Sequence, residues 1–340
     1  MSPTNNAAWI DGTGKQLRVG PSELGKPGPE EILVKNHAVA INPVDWKMQD
    51  SGYFVQQWPT IFGSDIAGEV VEVGEGVTEV RKGQRILGHA LGLVTGKTEN
   101  AGFQEYTLIP VKATAPIPDS LTYEAAAVIP LALSTAAAGL YQSDFLALPF
   151  PSTNAKKNGR TVLIWGGSSS VGSSAIQLAV ASGLDVVTTA SERNFEYCEK
   201  LGAREVFDHQ SPSIVSDLTA TLKNQELAGV YDAIGLPDST LKIVDILTKL
   251  GGGFIATVQQ PQGDLPASVT VKQILAFSIH AQQGGVGIAV YKDFLPAALA
   301  SGQYKVAPEP EVIGKGLEQL QVGIDKLRKG VSASKLVVTL

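Results

Sequence analysis

The residues with the clearest chemical purpose lie between 161 and 193. Four strand-favouring residues, Val162 to Trp165, run into Gly166-Gly-Ser-Ser-Ser-Val-Gly172. A glycine and serine turn that opens a helix presents free backbone N–H groups and a positive dipole end, and the chemistry this offers is phosphate binding. The helix is predicted over 171–182, with Val171, Ile176, Ala179 and Val180 at helical spacing and Gly183 closing it. Against the dinucleotide pattern G-x-G-x-x-G the run reads Gly167-Ser-Ser169-Ser-Val-Gly172, with Ser169 where the middle glycine belongs. A strand–helix turn that binds nothing fits the same letters, so the surrounding elements must decide.

Those elements fall into two textures. Up to about residue 115 the chain is rich in short strand patterns cut by glycine and proline, such as Glu31–Ala40 and Asp65–Val73. Such strands point to a partly closed barrel or sandwich. An alanine-rich helical stretch, Tyr123 to Leu140, is interrupted by Pro130. From Thr161 strands alternate with helices. Strands are expected at 161–165, 185–190, 205–207, 230–234, 253–258 and 274–279, and helices at 171–182, 193–201, 214–223 and 239–249. That alternation predicts an α/β fold with a doubly wound parallel sheet of six strands. After 285 come a helix (291–301), a proline-bearing segment at Pro308 and Pro310, a helix (314–329) and a last strand from Lys335, which is expected to return to the first domain.

Composition narrows the classes. The 340 residues suffice for two domains, and the 44% hydrophobic and 18% charged fractions are those of a soluble globular chain. A net charge of −6 without lysine- or arginine-rich blocks argues against a nucleic-acid partner. The polar start, Met1 to Asn6, lacks the features of a signal peptide, and no apolar run approaches the roughly 20 residues of a membrane helix. These features lead to the expectation of a cytoplasmic protein with no membrane partner, either monomer or homodimer. A single cysteine, Cys198, excludes an internal disulfide, and its predicted helical setting reads as structural.

The order of motifs resembles the medium-chain dehydrogenase/reductase superfamily. The likeness rests on Gly63-Ser-Asp-Ile-Ala-Gly-Glu-Val-Val-Glu-Val-Gly74 in a β-rich first domain, the glycine turn, and the closing Lys-Leu-Val-Val-Thr strand. Ile41-Asn-Pro-Val-Asp-Trp-Lys47, Leu133-Ser-Thr-Ala-Ala137 and Gly330-Val-Ser-Ala-Ser-Lys-Leu-Val-Val338 are most similar to its quinone oxidoreductase and fungal trans-acting enoyl reductase branch, which works without zinc. The resemblance implies a GroES-like partly closed barrel over 1–122 and 285–340, carrying substrate and catalysis. It implies a Rossmann-type, NADPH-binding domain over 123–284.

Metal catalysis is not expected. The zinc members carry a Gly-His-Glu triplet, here Gly63-Ser64-Asp65, and a cysteine near the position of Pro43. His37, His89, His209 and His280 show no paired spacing. NADPH is favoured over NADH because the strand Asp185–Ala190 ends in Ser191 and Arg193 rather than an acidic residue. A hydroxyl and a guanidinium suit a 2′-phosphate. Glu192 is the discordant neighbour. The cofactor set is Gly167, Ser168, Ser169, Ser170, Val171, Ser191 and Arg193, with Pro43, Thr135 and His209 added by the resemblance. Ser169 and Ser170 are expected to add hydroxyl donors at the pyrophosphate. Ile234, Val258, Phe277 and Ile279 stand at the expected strand ends that face the nicotinamide.

Hydride transfer without a metal suits an acceptor that is already electron-poor, an enone, enoyl thioester or quinone. The expected function is therefore NADPH-dependent reduction of an activated C=C bond, of the polyketide- or secondary-metabolite-tailoring type. A quinone or carbonyl reductase is the alternative within enzymes, and a non-catalytic, crystallin-like NADPH-binding protein the alternative outside them. The resemblance places Lys47 and Thr135 near substrate and nicotinamide. Lys47 reads equally as a solvated lysine, and Tyr53, a candidate proton donor, reads also as a packing residue. Asn42 is expected to hydrogen-bond the cofactor, and Asp45 to fix its loop. Trp46, Phe54, Trp58 and Gln259 are candidate pocket residues.

Overall fold

The computed structural model describes residues 4–260, 265–281 and 285–340. They form two compact units. The first comprises the described residues up to Leu131 with 299–302 and 306–340; the second comprises Ala132–Ala298 with Gln303–Lys305.

In the first unit, β1 (Asn5–Ile10) pairs antiparallel with β2 (Arg18–Ser22) and β4 (Thr60–Ile61) in a small sheet. A larger sheet is organised on β3 (Glu31–Ala40), whose Ile32, Val34, Ala38, Val39 and Ala40 are wholly buried. One side of β3 pairs with β5 (Asp65–Val73), which leads on to β6 (Arg85–His89) and β8 (Thr114–Pro116). The first half of its other side pairs with β7 (Tyr106–Pro110). Helix α1 (Pro43–Ser51) follows β3, α2 (Gly92–Thr95) follows β6, and α3 (Tyr123–Ala127) precedes α4 (Pro130–Tyr141).

The second unit holds β9 (Arg160–Trp165), β10 (Asp185–Ala190), β11 (Glu205–Asp208), β12 (Glu226–Asp232), β13 (Gly253–Thr257) and β14 (Val269–Gln273). They lie in the order β11-β10-β9-β12-β13-β14, and every pairing is parallel, giving the expected doubly wound sheet. Between them run α5 (Ser170–Ala181), α6 (Phe195–Lys200), α7 (Ile214–Leu222) and α8 (Pro237–Lys249). Leu163, Val187, Val230 and Ile255 from the strands pack with Leu218, Ile243 and Ile246 from the helices. Each such side chain removed from water stabilises the unit by roughly 1.5–3 kcal/mol.

The chain then completes the first unit's sheet. β15 (Glu309–Lys315) lies parallel to β16 (Ser334–Thr339), and β16 pairs antiparallel with Ala38–Ala40 of β3. No pairing among the described residues joins β15 to β8, so the barrel stays open, in keeping with its partly closed reading.

Four details differ from the pattern read in the sequence. β12 starts at Glu226 rather than 230, because a register shift between Leu227 and Gly229 breaks the alternation that marks a strand. The sixth strand is 269–273, not 274–279: Val-Thr-Val carries the β-branched signal, whereas Leu275 and Phe277 start turns that close on Ser278 and His280. The proline-bearing 309–315 segment is a strand, and Pro310 is tolerated because β15 lies at the sheet's edge. Finally, Tyr123–Tyr141 is long and apolar enough to cross a membrane by length and composition, but 78% of it is buried as core.

Candidate active site

Strand and helix meet at the glycine turn because nothing larger fits. A Cβ on Gly172 would stand 2.1 Å from the Gly166 carbonyl oxygen and 2.8 Å from the Gly167 Cα. The turn is pinned to β10, since Thr189 accepts the N–H groups of Gly166 and Gly167, at 3.0 and 2.9 Å. Ser169 behaves differently from expectation. Its Oγ accepts the Gly172 N–H at 3.0 Å and donates to the Gly166 carbonyl at 2.9 Å, and its own N–H goes to the same carbonyl. The hydroxyl is the N-cap of α5 and has no proton left for a phosphate. Within the described hydrogen bonds the N–H groups of Ser168, Ser170 and Val171 remain unused at the helix start, and these are the donors an anion would meet.

Other predicted residues gather on the same strand ends. Asn194 Nδ2 donates to Ser168 Oγ at 3.3 Å, which joins the turn to the Ser191–Asn194 segment after β10. Arg193 is exposed there and makes no ion pair among the described residues; Glu192 beside it is exposed too. His209 follows Asp208, which is in register with Ala190. Ile234 packs on Gly166, Val258 donates its N–H to the Asp232 carbonyl at 3.1 Å, and Gln259 Nε2 donates to the Ile234 carbonyl at 3.1 Å. Gln259 is thus tied to the second unit's strand ends and does not line the pocket described below. Phe277 and Ile279 do not stand on a strand end: Phe277 immediately precedes the short helix Ser278–Ala281 and Ile279 lies within it, buried. Thr135 lies on α4, its carbonyl accepting the Tyr231 hydroxyl at 2.7 Å. Cys198 is buried and its thiol is pushed up to about 12 by burial, so it is inert, as expected.

In the first unit, Lys335 on β16 carries a buried ammonium that sequence reading passed over. It sits 2.8 Å from Asp65 Oδ2, with both side chains within 4% of full burial, and it also donates to Asn42 Oδ1. Asn42 Nδ2 donates to the same Asp65 oxygen at 2.8 Å, and the Leu131 N–H donates to Asp65 Oδ1 at 2.5 Å. Both ends of the Asn42 amide are therefore engaged inside this network, which makes the residue a structural pin at the head of α1. Pro43, its neighbour at the first turn of α1, is exposed. The signal was weak because all of Lys335 to Val338 is buried, so no alternation marks the lysine as inward-facing.

Asp45 and His89 complete the buried polar set. Asp45 accepts the Asn42 N–H at 2.7 Å, fixing its loop as expected, yet burial pushes its carboxyl up from 3.8 to about 7. Burial pushes His89 the other way, from 6.5 down to about 4. For Asp45 the folded state holds the extra proton, so stability falls as pH rises from about 4 to 7. For His89 the unfolded chain takes the proton first, so stability falls as pH drops from 6.5 to about 4. Between pH 4 and 6.5 the two slopes oppose each other. Asp45→Asn should therefore make stability climb with pH in that window, and His89→Gln should make it fall. Each change should amount to a few kcal/mol, since a tenfold difference in proton affinity between folded and unfolded chain is worth about 1.4 kcal/mol. Urea unfolding at pH 4.5 and 6.5 measures this, and parallel curves for wild type and both variants would refute it.

A pocket opens beside α1, lined among others by Met48, Phe54, Ile61, Phe62, Ser64 and Leu93. Phe54 is among its lining residues; Trp46 and Trp58 are not. Trp58 instead packs edge-on against Phe62, and Trp46 lies under the Lys47 ammonium, 5.7 Å from the ring centre. Lys47 is partly buried and burial lowers its pKa, which makes the amine a better hydrogen-bond partner than a solvated lysine. Tyr53 is 50% exposed with its ring against Phe54, so it is not sealed in the core, and among the described residues its hydroxyl makes no hydrogen bond.

Comparison with known proteins decides the family. The model for the alcohol dehydrogenase GroES-like domain matches residues 28–119, and that for the zinc-binding dehydrogenase matches 170–299. The trans-enoyl reductase himH of Aspergillus japonicus is 45% identical over 337 residues, covering 99% of this chain and 97% of its own. This chain belongs to the medium-chain dehydrogenase/reductase superfamily, in its trans-enoyl reductase branch. It is an oxidoreductase of that family, with a nicotinamide cofactor and a small-molecule substrate. Solved structures share the fold. The CurK enoyl reductase superposes with a TM-score of 0.78 at 17% identity, covering 98% of this chain and 99% of its own. The Escherichia coli quinone oxidoreductase complexed with NADPH superposes at 0.75 and 19%, covering 99% and 100%.

Proposed function

We propose that this medium-chain reductase uses NADPH to reduce a C=C bond conjugated to a carbonyl, as an enoyl reductase of secondary metabolism, without zinc. The observation that carries the reading is the whole-length similarity to a trans-enoyl reductase, 45% over 99% of the chain. The donor set supports the absence of zinc. Catalytic zinc needs three converging protein donors. Here Asp65, the third residue of the triplet, is already neutralised by the Lys335 ammonium, and its neighbour is a serine. Among the described residues no three His, Cys, Asp or Glu side chains cluster. The residues do not fit a zinc ion, so the acceptor must bring its own activation.

The residues of the second unit fit a dinucleotide. The close approach at Gly166 and Gly172 brings the free N–H groups of Ser168, Ser170 and Val171 to one point, where a pyrophosphate would be held. Ser191 and Arg193 would hold a 2′-phosphate, the guanidinium by a fixed charge and a fork of donors. When bound, the nicotinamide supplies a hydride. Lys47, whose amine is partly desolvated, would hydrogen-bond an acceptor's oxygen or polar tail.

NADPH consumption against enones, enoyl thioesters and quinones tests the reading. Turnover of the first two is expected; tight NADPH binding with turnover of none would overturn it, and turnover of quinones alone would reassign it as a quinone reductase. Arg193→Ala is expected to weaken NADPH binding by roughly 10–100-fold, the worth of one charge-assisted contact, and to leave NADH binding unchanged. Equal weakening of both cofactors in a fluorescence titration would remove the 2′-phosphate role.

A further inference from the structure

We propose that Ser64 is a catalytic residue whose hydroxyl donates a hydrogen bond to the carbonyl oxygen of the acceptor and to the enolate oxygen that replaces it. The assignment rests on the enoyl reductase reading above. Ser64 is 4% exposed and lines the pocket of the first unit. The other buried side chains of that lining, Met48, Ile61 and Phe62, are apolar. Ser64 therefore supplies a buried donor among apolar buried walls, the composition by which small-molecule pockets orient a ligand.

Its hydroxyl is uncommitted. Among the described residues Ser64 Oγ makes no hydrogen bond, and the oxygen is not one of the atoms sealed from solvent, so a ligand or a water can reach it. The pocket's amides, by contrast, are engaged: Gln56 Nε2 donates to the Val94 carbonyl and Gln57 Nε2 to the Gly96 carbonyl, both at 3.3 Å.

Its backbone is fixed on every side. The Ser64 carbonyl accepts the Ala90 N–H at 2.8 Å. The following residue, Asp65, is held by Lys335, Asn42 and the Leu131 N–H. The preceding residue, Gly63, has φ +98° and lies so close to Phe103 that a Cβ would come 2.7 Å from its backbone nitrogen. A donor whose position is set before the acceptor arrives stabilises developing charge without reorganisation.

The reaction balances without a change at Ser64. Hydride adds to the β-carbon, the π pair moves toward the carbonyl oxygen, and a proton from water closes the α-carbon. Ser64 keeps its own proton throughout and stabilises the oxyanion between these events.

The test uses Ser64→Ala in the full chain, with a 2-enoyl thioester and a benzoquinone as acceptors. The kcat on the thioester is expected to fall roughly a hundredfold, as when one oxyanion donor is removed. NADPH affinity and Tm should be unchanged, because the hydroxyl makes no internal bond. The loss on the quinone should be several-fold at most, since its oxyanion is stabilised by the aromatic ring it forms. A kcat within twofold of wild type on the thioester would overturn the assignment. So would an equal loss on both acceptors, or a lowered Tm, either of which marks a structural serine. If wild type itself reduces neither acceptor while binding NADPH, the reductase reading fails, and the role of Ser64 fails with it.

Discussion

Lys335→Met is expected to destabilise the first unit by about 3–5 kcal/mol, the cost of leaving a buried carboxylate without its partner. The reason is the position of Asp65. It is wholly buried, and the Lys335 ammonium, 2.8 Å away, is the cation in contact with it. Methionine fills the volume of the lysine stem, so the loss reports the charge and its hydrogen bonds rather than a cavity. The companion variant makes the cause separable. Adding Asp65→Asn removes the orphaned charge while keeping an acceptor for the Leu131 N–H, and the double variant should recover about half of the loss or more. Urea unfolding of the two single variants and the double completes a thermodynamic cycle. Additive effects would show that the ion pair carries no coupling, and a Lys335→Met loss under about 1 kcal/mol would show that the carboxylate finds water instead.

Gly172→Ala should be the most damaging single methyl in the second unit. The added Cβ would stand 2.1 Å from the Gly166 oxygen, and all three of its nearest neighbours are backbone atoms of the turn, which have no rotamer to escape by. Either α5 slides away from β9 or the turn opens. Overpacking of this kind costs about 1–3 kcal/mol or more in stability. Either movement also spreads the N–H groups of Ser168, Ser170 and Val171. Two lost contacts to a charged phosphate correspond to a weakening on the order of a hundredfold or more in cofactor binding. Calorimetric titration of NADPH measures the second effect and thermal melting the first. Unchanged affinity would mean that the turn does not hold the pyrophosphate.

The fold was legible where its signals were local and periodic. Strands β9 and β10 and helices α5 to α8 were readable because an apolar run or a 3.6-residue period shows in one stretch of chain. The sixth strand was misplaced because Ile274 to Phe277 looks more apolar than Val269 to Gln273, although the latter carries the β-branched residues that a sheet edge favours. The cofactor turn was legible as a motif, but the work of Ser169 was not. Nothing in Gly-Ser-Ser-Ser-Val-Gly says which hydroxyl caps the helix and which N–H groups stay free. In the first unit the pairing of Lys335 with Asp65 joins opposite ends of the chain, beyond the reach of any periodicity. Asn42 was singled out for the cofactor, and what its sequence context did not reveal is that its amide bonds Asp65 and Lys335.

The route of the chain through its sheets also sets an order of events. The second unit is nearly one continuous stretch, 132–298, so every strand of its sheet is available once that stretch exists. The first unit begins earlier in the sequence but closes later. Half of one side of β3 waits for β16, and the Asp65 carboxylate waits for the same strand to deliver its ammonium. During synthesis, then, the half of the molecule that is made first is the half that is finished last, with an unpaired sheet edge and an uncompensated charge in the interval.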